Sequence, residues 1–127
     1  MSFAFALRRF REDRNLSLRE LGTLCGVDHA YIHRLEREEK TAPSEQVIDA
    51  LVRALKLNPR RARLLRSLVG KSVSEPLVEV FIEDEGRPLE LLDPLAGMSF
   101  RGARPETKDD WRKKADQLAK FLAEDEA

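Results

Sequence analysis

The chain has 127 residues, with 23 Lys and Arg balanced by 23 Asp and Glu, 42% hydrophobic side chains and 36% charged ones. This is too apolar for wholesale disorder and gives room for one domain or two small helical ones, while a single cysteine excludes a disulfide-stapled scaffold and a Cys-pair zinc module. No apolar run approaches the ~20 residues of a membrane span, and Phe3 to Leu7 precedes the basic pair Arg8-Arg9 instead of following it, the wrong order for a signal peptide, so a soluble cytoplasmic protein is expected.

The neutral total hides an asymmetry. Residues 1–70 carry 14 basic against 9 acidic side chains, a net of +5, and residues 71–127 carry 9 against 14, a net of −5. Such a split hints at a polyanion-binding module joined to something else. The first half reads as consecutive short helices. Ser2 is a candidate cap for a helix reaching about Arg14, with Phe3, Leu7 and Phe10 at helical spacing and Asn15-Leu16 closing it. Ser17-Leu18-Arg19-Glu20 has the form of a capping box, opening a helix with Leu21 and Leu24 that stops at Gly26. Asp28 caps a third helix bearing Ile32 and Leu35. Pro43-Ser44 starts a fourth with Val47, Ile48, Leu51 and Leu55, and Asn58-Pro59 a fifth with Leu64, Leu65 and Leu68.

The second half is less regular. Residues 71–75 read as a linker. Leu77, Val78, Val80, Phe81 and Ile82 form an apolar block that suits a helix or a strand. Gly86, Pro88 and Pro94 punctuate a Leu-rich piece, and Thr107 caps a last helix with Trp111, Ala115, Leu118 and Leu122 at spacings of four, three and four. The expected architecture is all-α: a five-helix domain over 1–70, the linker 71–75, and a smaller helical domain over 76–127.

Two helices joined by a tight glycine turn, the second short, polar and basic, make a helix-turn-helix pattern. Leu7-Arg8-Arg9-Phe10-Arg11, Leu16 to Gly22, Gly26-Val27-Asp28, Tyr31 to Arg37, Pro43-Ser44 and Leu51 to Leu57 appear in order. With these residues, the first half resembles the lambda-repressor-like, XRE-type family of DNA-binding domains. The resemblance implies base reading by His29, Ala30, His33 and Arg34, and phosphate contacts by Ser17, Arg19, Arg37, Lys40 and Ser44. It also implies a buried structural ion pair between Arg11 and Glu36. This sequence departs from the family at Leu18, where Gln is common, and at Glu38 and Glu39, which place two negative charges near the expected interface. Gly22 stands where Ala is usual, a tolerable close-packing position, at an expected cost of up to ~1 kcal/mol in helix propensity.

Phe100 to Trp111, with the Leu and Pro pattern before it, resembles the C-terminal signature of deinococcal DNA-damage-response repressors and related phage and mobile-element regulators. In those proteins a small helical domain dimerises the repressor, and a metalloprotease cuts near the signature. The likeness implies dimerisation or regulation through Leu77, Phe81, Leu92, Phe100, Arg101, Trp111 and Leu118, with a cut near Phe100-Arg101. A single module covers only ~600–1,000 Å² of DNA, so a homodimer on a palindromic double-stranded operator, with half-sites about 34 Å apart, is expected.

Two other classes compete with the repressor reading. An antitoxin or adaptor would use the same scaffold to bind a protein such as a toxin. An enzyme is the weaker alternative: no nucleophile is paired with a base in a motif, no glycine-rich loop cradles phosphate, and both histidines lie on the presumed reading helix. No cofactor or metal is expected. Cys25, His29 and His33 are spaced by four, but Gly26 interrupts the helix between them and no fourth ligand is evident; Cys25 reads as a small buried apolar residue.

Overall fold

The computed structural model describes residues 2–37, 42–98 and 104–126, with side-chain surroundings through Glu124. Among these residues the chain is all-helical, with eight α-helices, one 3-10 turn and no strand. It divides into two compact units, Met1–Ser72 and Val73–Ala127. Among the described residues no helix is long and apolar enough to cross a membrane.

In the first unit, α1 (Ser2–Asp13) buries Phe3, Ala4, Ala6, Leu7 and Phe10. Ser2, read as its cap, is instead a residue of the helix itself, the first one described, and is buried. Asn15 closes the helix in the left-handed region at φ 55°, a conformation whose cost Asn bears better than most residues.

Local side-chain chemistry then sets each boundary. The Ser17 hydroxyl accepts from the Glu20 N–H at 3.0 Å, and the Ser17 N–H donates to the Glu20 carboxylate at 2.9 Å. These two bonds open α2 (Leu18–Cys25), and the hydrogen bond from the Ser17 N–H, with the Ser17 side chain beside it, holds the Glu20 carboxyl below its ordinary range. Gly26, at φ 71°, ends it. Asp28 accepts from the Ala30 N–H at 2.9 Å and starts α3 (His29–Glu36). Ser44 accepts from the Val47 N–H at 3.2 Å at the start of α4 (Glu45–Ala54). Asn58, followed by Pro59, caps α5 (Pro59–Ser67) through the Arg61 N–H at 2.8 Å.

Short helices of this length are marginal alone, so packing holds them. Leu7, Phe10, Leu21, Ile32, Leu35, Leu51, Leu55, Leu64, Leu65 and Leu68 are buried. Arg14 donates to the Ala54 carbonyl at 2.7 Å and ties α1 to the end of α4, and the Arg61 guanidinium stands 5.5 Å from the Phe10 ring centroid.

In the second unit, the block left open between helix and strand is α6 (Glu75–Glu83), which also takes Glu75 out of the expected linker. Leu77, Val78, Val80, Phe81 and Ile82 are all buried. Its polar face is a single narrow stripe, Glu75, Glu79 and Glu83 at a spacing of four, while Val78, Val80 and Ile82 alternate as in a strand. A 3-10 turn (Leu89–Leu91) runs into α7 (Leu92–Ala96). The Thr107 hydroxyl accepts from the Asp110 N–H at 3.1 Å at the start of α8 (Lys108–Glu126), which buries Trp111 and Ala115.

An ion-pair network joins the end of α6 to α8. Lys108 meets Glu83 at 2.8 Å, and Arg112 meets Asp84 and Glu83, each at 3.0 Å. Arg87 spans Asp84 at 2.9 Å and Asp116 at 2.8 Å.

Candidate nucleic-acid interface

The site begins with an unusually close approach of backbones. A Cβ on Gly22 of α2 would stand 2.8 Å from the Val27 carbonyl oxygen, 3.1 Å from the His29 nitrogen and 3.2 Å from the His29 Cα. The Val27 N–H donates to the Gly22 carbonyl at 3.0 Å. Glycine at position 22 therefore lets the turn fold tightly against α2 and sets where α3 starts, which is more than the propensity cost expected from sequence. A shallow concavity at this junction is lined by Arg19, Gly22, Thr23, Gly26, Val27, Asp28 and His29.

From that start, α3 divides cleanly. Ile32 and Leu35 face inward and are buried. At about 100° per residue, His29, Ala30, His33, Arg34 and Arg37 share the opposite face. His29, His33, Arg34 and Arg37 are exposed, and Ala30 is half-buried. His29 Nδ1 lies 3.4 Å from Asp28 Oδ1, and the Arg34 guanidinium stands over the Tyr31 ring.

The inner side of α3 is fixed to α1 by charge as well as by apolar packing. Arg11 Nε meets Glu36 Oε2 at 2.7 Å and Arg11 Nη2 meets Oε1 at 2.9 Å. Arg11 Nη1 also donates to the Leu16 carbonyl at 2.9 Å. The Arg11 and Glu36 side chains are 14% and 5% exposed, so this two-pronged pair is largely out of water, and the hydrogen bonds to Glu36 push the Arg11 pKa above its ordinary value.

The remaining sequence-derived residues fall into three groups. Ser17 and Ser44 use their hydroxyls to cap α2 and α4 and so sit at the two helix N-termini, while Arg19 is exposed on α2. Lys40, Phe100 and Arg101 lie outside the described residues, as do Glu38 and Glu39. Leu77, Phe81, Leu92 and Trp111 are 0–2% exposed within the chain, so their surfaces are already covered. Leu118 is half-buried, and beyond it on α8 Phe121 and Leu122 are 65% and 40% exposed. Cys25, read as buried, is half-buried, and desolvation raises its thiol pKa above the ordinary value. Among the described residues no group of three His, Cys, Asp or Glu side chains is placed to hold a metal ion. Sequence reading took Gly22 as a close-packing position but not what it packs against, and it missed the Tyr31–Arg34 stack. An aromatic residue three before an arginine on one helix is a signal for that stack.

Over 56 residues, 44% of the chain, the sequence is 39% identical to the HTH-type transcriptional repressor RghR of Bacillus subtilis (strain 168), and the match spans 42% of that protein's length. Residues 2–65, half of the chain, match the family described as the helix-turn-helix domain, and the chain belongs to that family.

Proposed function

We propose that the chain is a sequence-specific DNA-binding transcriptional repressor, with α3 lying in the major groove. The observation that carries this reading is the outward face of α3, where His29, Ala30, His33, Arg34 and Arg37 stand together over a base fixed by Ile32, Leu35 and the Arg11–Glu36 pair. The major groove, about 12 Å wide, admits such a helix. Arg34 offers two parallel N–H donors to a guanine edge, a contact worth ~1–3 kcal/mol of discrimination. Arg19, Arg37 and the N-termini of α2 and α4 suit phosphates on either side, and the net +5 of residues 1–70 favours approach to a polyanion. The 39% identity to a repressor over 56 residues adds support.

In this reading the protein acts as a homodimer on a palindrome, since one module of this size gives too little specific contact alone. The exposed Phe121 and Leu122 of α8 offer apolar surface for pairing, and sedimentation of the free chain and its DNA complex reads the stoichiometry. Release by a protease cutting near Phe100-Arg101 is the regulatory step implied by the C-terminal likeness. The decisive test is selection of bound duplexes from a random pool, followed by Arg34→Ala. Binding to the selected duplex is expected to fall at least tenfold while binding to a scrambled duplex changes little. Equal losses on both duplexes, or no enrichment in the selection, would overturn the proposal.

A further inference from the structure

Tyr31 and Arg34 are three residues apart on α3, a spacing that sets side chains next to each other on a helix. The Arg34 Cζ lies 5.8 Å from the Tyr31 ring centroid, inside the ~6 Å within which a guanidinium is attracted to a ring face. The two side chains differ in freedom. Tyr31 is half-buried on the flank between the outward face and the buried Ile32 and Leu35, whereas Arg34 is exposed. The ring is thus the fixed member of the pair and the guanidinium the member that it holds.

We propose that Tyr31 is a positioning residue for base recognition, holding the Arg34 guanidinium by its face so that its edge is presented to a guanine. This rests on the reading of Arg34 given above and adds the residue that sets its selectivity. The chemistry suits the task. A guanidinium is planar, its N–H donors lie around its edge, and stacking occupies only the face. An exposed arginine without such a surface loses more rotamer freedom when it docks on a base. Ordering it beforehand lowers that cost and favours the geometry in which two donors reach one base. Tyr31 itself need not touch DNA for this to operate.

The test uses the full chain, the duplex enriched from a random pool and a scrambled duplex of the same composition. Tyr31→Leu is expected to weaken binding to the enriched duplex about two- to fivefold, the range for an exposed cation–π contact, and to leave the scrambled duplex unchanged. Tyr31→Phe keeps the ring and should bind like the wild type. In an Arg34→Ala background Tyr31→Leu should cost nothing further, because the residue acts only through Arg34. In the free protein, the Arg34 δ-methylene protons should show an upfield ring-current shift that persists in Tyr31→Phe, a readout that does not depend on the leucine variant folding.

Equal loss on both duplexes, a Tyr31→Phe defect as large as that of Tyr31→Leu, an additive loss in the Arg34→Ala background, or no ring-current shift in the wild type would each overturn the proposal. If Arg34→Ala itself leaves selectivity intact, base reading by Arg34 fails and the role of Tyr31 falls with it. If Arg34→Ala abolishes selectivity and Tyr31→Leu does not change it, the role of Tyr31 alone is refuted.

Discussion

Replacing Arg11 by Ala removes three hydrogen bonds, at 2.7, 2.9 and 2.9 Å, two of them to a carboxylate whose side chain is only 5% exposed. The pair was expensive to bury, so its net contribution relative to an apolar pair is small. Taking away one partner is another matter, because Glu36 then keeps its desolvation penalty without its counter-charge, which costs ~3–5 kcal/mol. A unit of this size has a total stability of roughly 4–11 kcal/mol at ~0.05–0.15 kcal/mol per residue. Arg11→Ala is therefore expected to use up a large part of the first unit's stability. Removing both charges with Arg11→Met and Glu36→Leu together should cost much less than Arg11→Ala alone. Native-state hydrogen exchange at α1 and α3 amides measures this locally, since those helices are the ones the pair joins. A loss below ~1 kcal/mol for Arg11→Ala, or a double variant as weak as the single one, would refute the reasoning that a stranded carboxylate sets the cost.

Three further outcomes follow from the same geometry. Gly22→Ala gains up to ~1 kcal/mol of helix propensity but drives a methyl group against backbone atoms at 2.8–3.2 Å. Overpacking of this kind costs ~1–3 kcal/mol, so urea midpoints and affinity for the selected duplex should both fall; a variant more stable than the wild type would show that the turn yields freely. In the second unit, the hydrogen bond from Lys108 lowers the Glu83 pKa, and that from Arg112 lowers the Asp84 pKa. A carboxylate with a folded pKa below its unfolded value adds stability above the unfolded pKa, near pH 4, and loses it as pH falls through the folded value. Urea midpoints read from the emission of Trp111, the single tryptophan, should drop below about pH 4, and Asp84→Asn should lower the midpoint at pH 7 and flatten that drop; an unchanged profile would remove Asp84 from the pH response. Finally, Arg19→Ala and Arg37→Ala should each reduce the slope of log affinity against log salt by about one, equally on selected and scrambled duplexes, and an unchanged slope would take that residue out of the phosphate set.

The helix boundaries were legible because their causes are local. Ser17 with Glu20, Asp28, Ser44, Asn58 with Pro59, and Thr107 each satisfy a backbone N–H within three residues, and Gly26 supplies the left-handed turn. The outward face of α3 was legible for a similar reason, since Ile32 and Leu35 mark its inner side. What sequence could not give was distance between elements. Nothing in the identity of Gly22 says that the Val27 carbonyl comes within reach of its missing Cβ. Arg11 and Glu36 are 25 positions apart, so their pairing was available only through the family resemblance. In α6 the alternation of Val78, Val80 and Ile82 imitates a strand, while the spacing of four between Glu75, Glu79 and Glu83 and the simultaneous burial of Leu77 and Phe81 make sense of the run as a helix. The charges of Glu83, Asp84, Arg87, Lys108 and Arg112 were visible, but their joining into one network depends on how α6 and α8 meet.

An eight-residue helix is too short to hold its own shape in water, yet a helix that reads bases must present its side chains to well under an ångström. In the base-reading role proposed for α3, this conflict is resolved by supports on every side except the outward one. Asp28 satisfies a free N–H at the first turn, and Gly22 brings α2 into backbone contact at the same end. Ile32 and Leu35 anchor the middle of the inner face, and Glu36 is held at the last turn by two bonds from Arg11. Rigidity is thus imported from α1 and α2, which leaves His29, Ala30, His33 and Arg34 free of structural duty. Substitutions on that outer face should consequently change which duplex is bound while leaving stability nearly untouched, and substitutions at Gly22, Arg11 or Glu36 should do both. That separation is what a recognition helix requires, because it allows the sequence being read to vary without loss of the fold that reads it.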